Sequence, residues 1–179
     1  MHIRLAQLDD ADGMANVHVD SWRAAYRGIV PDEHLASLSY GQRAERWRSN
    51  LTTPATPGTF VYVAVNDAGR IIGFGGGGPE RGGDPNYRGE LYALYLHPDY
   101  FRQGIGTQLT QTIAARLIED GMFSMLVWVL AQNPSRQFYK ALGGKYLYEK
   151  TIEIGGASLI EVAYGWPDVH ALAQMEVPA

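Results

Sequence analysis

The stretch ELYALYLHPDYFRQGIGTQL, residues 90–109, decides how this chain is read. From Glu90 to His97 it is a run of aliphatic and aromatic residues, and Pro98 ends that run as a strand because proline offers no ladder N–H. Gly104 and Gly106 then lead into an amphipathic helix reaching about Asp120, with Ile105, Leu109, Ile113 and Leu117 on one side and Gly121 placed to stop it. A strand, a glycine-bearing loop and a helix in direct succession make an anion site. The backbone N–H groups of the loop and first helical turn point outward, and the helix dipole adds partial positive charge. Glycines let that backbone approach a phosphate with no Cβ in the way. The same succession also serves as a plain strand-to-helix turn, so the loop alone leaves both readings open.

Outward from this stretch the pattern stays mixed. Ser124 to Ala131 is nearly all apolar, as in a strand buried on both faces. Asn133 and Pro134 read as the N-cap and first position of a short helix that Gly143 and Gly144 end. Tyr146–Ile154 and Ser158–Tyr164, joined at Gly155-Gly156, form a closing hairpin. Toward the N-terminus, Ile3–Ala6 is a short strand. Asp9 or Asp10 then caps a helix with the stripe Ala11, Met14, Ala15, His18, Trp22 and Ala25, and Gly28 ends it. Pro31–Leu38 and Tyr40–Leu51 are further helices, 52–58 a loop, and Phe60–Val65 with Arg70–Gly75 a hairpin over Asn66-Asp67-Ala68-Gly69. The segment Gly73-Phe74-Gly75-Gly76-Gly77-Gly78 satisfies the dinucleotide pattern G-x-G-x-x-G, but PERGGDPNYRG follows it where that fingerprint needs a helix. Residues 76–88 are therefore expected to be a flexible glycine-rich lip beside the site.

These elements describe one α/β domain over residues 1–179 with a mixed, mostly antiparallel sheet. A chain of this size buries roughly 70% of its unfolded surface, so it needs no covalent staple. With 46% hydrophobic and 19% charged residues it is an ordinary globular sequence. The net charge of −4 argues against nucleic acid as a partner, since such binders show a basic face. Zero cysteines exclude disulfides, thiolate metal sites and a cysteine nucleophile, and fit the cytoplasm as the expected location. The N-terminal residues show no apolar targeting pattern and no run approaches about 18 apolar residues, so neither a leader nor membrane association is expected. The five histidines lack ligand spacing, and no metal is expected.

The run YLHPDYFRQGIGTQL followed by WVLAQNPSRQFYKALGG resembles the GNAT superfamily of acetyl-CoA-dependent N-acetyltransferases, most clearly over about residues 88–145. The segment SWRAAYRGIVPDEHL is similar to bacterial members more loosely. The resemblance implies a GNAT-like sheet flanked by helices on both sides, splayed between the strands near Leu94 and Val127, with acetyl-CoA as co-substrate in the gap. The family's pyrophosphate loop, Q/R-x-x-G-x-G/A, falls on residues 101–106, where Phe101 replaces the leading Gln or Arg. Arg102, Gln103, Gly104, Ile105, Gly106 and Thr107 would then hold phosphate, and the backbone of Leu94, Tyr95 and Leu96 would bond the pantetheine amides. Asn133, besides its capping role, would contact coenzyme A. Tyr139 would sit near the sulfur, although Phe138, Ala141 and Leu142 equally make it the flank of an apolar helix face.

An acceptor amine of pKa ~10.4 must lose a proton before it attacks a thioester. Glu90 is the expected general base and Tyr139 the general acid. Trp22 and Tyr26, one helical turn apart, either stack on a cationic acceptor or belong to the core. Asp32, Glu33, Glu80 and Asp84 would make an acidic mouth. The expected activity is acetyl transfer to a primary amine of a small molecule, such as a polyamine, amino acid or amino-bearing antibiotic. Acetylation of a protein N-terminus or lysine is the alternative within the enzyme class. A non-catalytic acyl-CoA-binding module and a nucleotide-binding protein are the alternatives outside it. Leu159, Ile160 and Val162 are expected to be exposed on the last hairpin and to favour a homodimer.

Overall fold

Seven strands pair into one sheet in a computed structural model that describes residues 1–175. In chain order the elements are β1 (His2–Leu5), α1 (Ala11–Ala25), α2 (Asp32–Ser37), α3 (Tyr40–Thr52), β2 (Phe60–Val65), β3 (Ile71–Pro79), β4 (Gly89–Leu96) and α4 (Ile105–Glu119). After them come β5 (Met125–Leu130), α5 (Arg136–Ala141), β6 (Lys145–Ile154), β7 (Ala157–Trp166) and α6 (His170–Ala173). The strand order is β1-β2-β3-β4-β5-β7-β6. Each neighbouring pair is antiparallel except β4–β5, which α4 joins as a crossover.

The parallel pair is short. Its ladder runs only from Gly89 opposite Met125 to Leu91 opposite Val127. Past that point β4 follows β3 as far as Leu96, and β5 follows β7 as far as Leu130. The sheet therefore opens between Tyr92–Leu96 and Trp128–Leu130, as expected. A register shift supplies the cause. Gly76 pairs with Ala93 and Gly77 with Leu91, so Tyr92 is an extra residue in β4, and such a bulge bends its strand.

Helices cover both faces. Met14 and Val17 of α1, with Trp47 of α3, pack on Val63, Val65 and Phe74. On the other face Ile105 and Leu109 of α4 pack on Ala64 and Ile72, while Ile113 and Leu117 join Leu91 and Val127.

The glycine run corrects an expectation. Residues 76–79 are not a flexible lip but the second half of β3, and Gly73 to Gly78 are all buried. A Cβ on Gly73 would lie 2.3 Å from Leu96 Cδ2; on Gly75, 2.8 Å from Ile113 Cδ1; on Gly77, 2.9 Å from Ile113 Cγ2. Alternate glycines thus present a bare backbone on which Leu96 and α4 lie close. Overpacking of such a seam costs about 1–3 kcal/mol. Gly75→Val should accordingly lower the urea midpoint of unfolding with little change in its slope. An unmoved midpoint would show that α4 can stand off the sheet.

Three smaller corrections follow from packing. Asp10 does not cap α1 through its side chain; its carboxylate takes two hydrogen bonds from Arg4 (2.6 and 2.8 Å) and one from the Gln7 N–H (2.7 Å), closing a 3-10 turn. The short helix after Asn133 begins at Arg136, two residues later than expected. Of the apolar residues on the last hairpin, Ile160 is exposed, but Val162 is in the core and Leu159 packs with Val30 and Leu35. The exposed apolar face expected there is reduced to one residue.

His18 sits on the buried face of α1 against Tyr95 (ring centroids 4.7 Å apart) and Trp22 (5.7 Å). Among the described residues neither of its ring nitrogens has a hydrogen-bond partner. Burial, helped by Arg43 and Arg46, pushes its pKa down to about 3. The folded chain therefore keeps His18 neutral where the unfolded chain protonates it. Stability from this residue is complete above the unfolded pKa of about 6.5 and is lost as pH falls toward 3, at up to about 1.4 kcal/mol per pH unit. His18→Phe should flatten that part of the stability–pH curve. An unchanged acid limb in chemical denaturation between pH 4 and pH 6 would refute this.

Candidate active site

The opening between β4 and β5 joins the two faces of the sheet, and a different environment lies at each end. On the α4 side, the loop after Pro98 places Arg102 (φ 61°) and Gly104 (φ 76°) in left-handed conformations. Arg102 is the one non-glycine residue of the described chain with positive φ, a conformation that costs about 1–2 kcal/mol. Strain of this kind is held by surrounding contacts and collects at functional sites. Here Gln103 donates from its amide to the Asp99 carbonyl (3.1 Å), and Ile105 is buried beside Leu109. Gly106 faces the mouth of the opening: a Cβ there would lie 3.4 Å from Phe138 and 3.6 Å from Leu96. Thr107 is half-buried in the same first turn, while Phe101 and Arg102 are exposed.

Across the mouth, Asn133 is buried and its Oδ1 accepts the Ser135 N–H (2.9 Å), which starts the turn into α5. Tyr139 is buried with its ring against Phe138 and Trp166. Burial raises its phenol above the usual range and the nearby Tyr95 adds to the effect, so it stays a protonated donor at neutral pH. The segment Leu94–Leu96 lends one edge of β4 to the opening, since β3 occupies only the other.

On the α1 side lies a cavity of about 680 Å³. Aromatic side chains wall it: Trp22 from α1 and Tyr26 at its C-cap, Tyr92 and Tyr95 from β4, Trp128 from β5 and Tyr148 from β6. Trp22 and Tyr26 are thus both wall and core, for they also pack with Val30 and Leu35. Two ion pairs face the cavity. Glu90, almost fully buried, accepts from Arg81 Nη2 (2.5 Å), Nε (3.1 Å) and backbone N–H (3.1 Å). Glu161 meets Lys150 Nζ at 3.7 Å. Burial raises the Glu161 carboxyl above its ordinary value, and the Lys150 ammonium only partly offsets this. Each cation also covers a ring, Arg81 at 4.0 Å from the Tyr92 centroid and Lys150 at 3.7 Å from that of Trp128.

Glu80 and Asp84 line the rim as expected, but they also shape their own loop: Glu80 accepts the N–H groups of Gly82 and Asp84, and Asp84 accepts the Tyr148 hydroxyl. Asp32 and Glu33 lie on α2, outside the lining. The four acids Glu80, Asp84, Glu90 and Glu161 outnumber Arg81 and Lys150, so the lining favours a cationic guest. Sequence reasoning did not single out Arg81, Tyr92, Trp128, Tyr148, Lys150 or Glu161. Glu161 was detectable as a lone acid in the apolar run SLIEVAYGW; the others look like ordinary strand or loop residues. Among the described residues no cluster of three or more His, Asp or Glu could hold a metal, and no helix is long and apolar enough to cross a membrane.

Comparison with known proteins agrees with this architecture. The model of the acetyltransferase (GNAT) family matches residues 17–143. The chain is 42% identical over 170 residues to the uncharacterized N-acetyltransferase YuaI of Bacillus subtilis (strain 168), covering 95% of each. Its fold is similar to the GCN5-related N-acetyltransferase of Rhodopseudomonas palustris, with TM-score 0.71 and 20% identity, covering 92% of this chain and 93% of that one. It is also similar to yncA of Salmonella typhimurium, solved with its cofactor acetyl-CoA, with TM-score 0.67 and 18% identity over 100% of this chain and 98% of that one.

Proposed function

Because the chain belongs to the GNAT acetyltransferase family, we propose that it transfers an acetyl group from acetyl-CoA to a primary amine of a small molecule. One observation carries the proposal: the opened β4–β5 pair has a glycine-bearing loop running into the start of α4 at one end and an acidic, aromatic cavity at the other. Acetyl-CoA supplies the activated acetyl thioester. The N–H groups at Arg102–Thr107 would hold its diphosphate without needing the cation that Phe101 displaces, because a helix N-terminus with outward N–H groups already attracts anions. The open edge of Leu94, Tyr95 and Leu96 would take the pantetheine amides as an added strand does, and Asn133 would close the site from the α5 side. A cavity of about 680 Å³ is of small-ligand size, which favours a free amine over a protein segment.

Proton transfers fall to the chain. Tyr139, protonated and buried, would donate to the departing sulfur, and a β4 N–H would stabilise charge on the carbonyl oxygen. Glu90 is the base assigned by its place at the start of β4. Its three hydrogen bonds from Arg81 occupy both carboxylate oxygens and hold them away from an incoming amine. That observation favours a second reading in which Glu161, with its raised pKa and single Lys150 partner, is the base and Glu90 steers the amine.

Calorimetric titration with acetyl-CoA, with ATP and NAD as controls, followed by thiol release across amines and peptides, tests the function. Saturable binding of acetyl-CoA alone and turnover with free amines are expected. No acetyl-CoA binding by folded protein would sink the reading, and turnover with peptides only would move it to protein acetylation. Comparing Glu90→Gln and Glu161→Gln identifies the base. The variant that loses the acid limb of the pH–rate profile marks it, with a rate loss of about 10²–10⁴-fold.

A further inference from the structure

We propose that Lys150 is itself an acceptor, acetylated within its own chain by acetyl-CoA bound in the β4–β5 opening; the inference rests on the acetyl-transfer reading. The chain has three lysines, Lys140, Lys145 and Lys150. All three are exposed as residues, but only Lys150 lines the acceptor cavity. Its position follows from register. Lys150 on β6 lies opposite Glu161 on β7, and Glu161 lies opposite Leu130 on β5. The long side chain then reaches back over β7, so that Nζ rests 3.7 Å from the Trp128 ring centroid. Trp128 is the first residue of β5 past the three-rung ladder with β4. An amine of the chain is therefore parked at the edge of the opening where a substrate amine would approach.

Its surroundings suit the reaction. Glu161 lies 3.7 Å from Nζ and is buried enough to accept a proton. The flexible stem lets Nζ swing from the Trp128 face toward the opening without any change in the strands. In the reaction Lys150 gives one ammonium proton to Glu161. Its nitrogen lone pair forms the N–C bond to the acetyl carbonyl carbon and the C–S bond breaks. The second N–H proton leaves and the thiolate is protonated through Tyr139, so the products are acetyl-Lys150, free coenzyme A thiol and one proton passed from Glu161 to water. Acetylation removes the cation from Trp128 and from Glu161, which leaves the cavity with a larger surplus of negative charge.

The test is a time course of the full-length protein with acetyl-CoA, with acetylation at each lysine read by peptide mass spectrometry. Lys150 should be labelled at least about tenfold faster than Lys140 and Lys145, a small part of what proximity can supply. The rate per chain should not change on dilution of the protein. Lys150→Arg should lose the fast phase altogether, and Glu161→Gln should slow it without altering labelling of the other two lysines. Equal labelling of all three lysines, or a rate that rises in proportion to protein concentration, would overturn the proposal. Calorimetry on the same preparation separates the two failures. Acetyl-CoA binding without fast Lys150 labelling refutes self-acetylation and leaves the family activity intact, whereas no binding removes both.

Discussion

Tyr139→Phe should lower turnover by about 10²-fold or more and leave acetyl-CoA affinity within about twofold, because the proposed general acid loses its hydroxyl and little else. The substitution keeps the ring that packs on Phe138 and Trp166, so the fold has no reason to change. Burial holds the phenol protonated throughout the neutral range, which makes it a donor at every pH where the enzyme would be assayed. Turnover should thus fall by a similar factor across that range, while KM for acetyl-CoA stays in place. Steady-state kinetics with a saturating amine measures both. Full turnover in the variant would mean that water protonates the leaving sulfur and that Tyr139 serves only as core.

Gly106→Trp should weaken acetyl-CoA by about 10²–10⁴-fold, the equivalent of two lost charge-assisted hydrogen bonds. A Cβ at this position finds ordinary contact distances to Phe138 and Leu96, so the backbone can carry a side chain. An indole beyond that Cβ would fill the mouth between β4 and α5, where on the proposed function phosphate would approach the first turn of α4. Circular dichroism should show an unchanged fold, and calorimetry the lost affinity. Wild-type affinity in a folded variant would place the diphosphate elsewhere.

Much of the frame was legible because its signals are local. Pro98, the two loop glycines and the stripe Ile105–Leu109–Ile113–Leu117 mark strand, turn and helix within one short stretch, and the structure has them there. The glycine run misled because its composition matches a loop. What makes it a strand is nonlocal: Leu96 and Ile113 need bare backbone beneath them, and neither lies near it in sequence. The site divides in the same way. Trp22 and Tyr26 share one helix turn and could be paired on sight, and both do line the cavity. Lys150, Trp128 and Glu161 meet only because β7 inserts between β5 and β6, an order that hydrophobic alternation does not encode. Glu90 was placed correctly in β4, but its clamp by Arg81 depends on how residues 80–88 fold back.

The short β4–β5 ladder has a mechanical side. It makes the sheet two plates, β1–β4 and β5–β7, riveted through three residue pairs and through the core shared by Leu91, Ile113 and Val127. Beyond the rivets no ladder pairing ties β4 to β5, and a guest lying between the plates would touch both. Whatever binds there stiffens the joint, and its free energy of binding adds directly to the resistance of the whole molecule to unfolding. The gap between the plates is thus also the place where a bound guest would reinforce the fold.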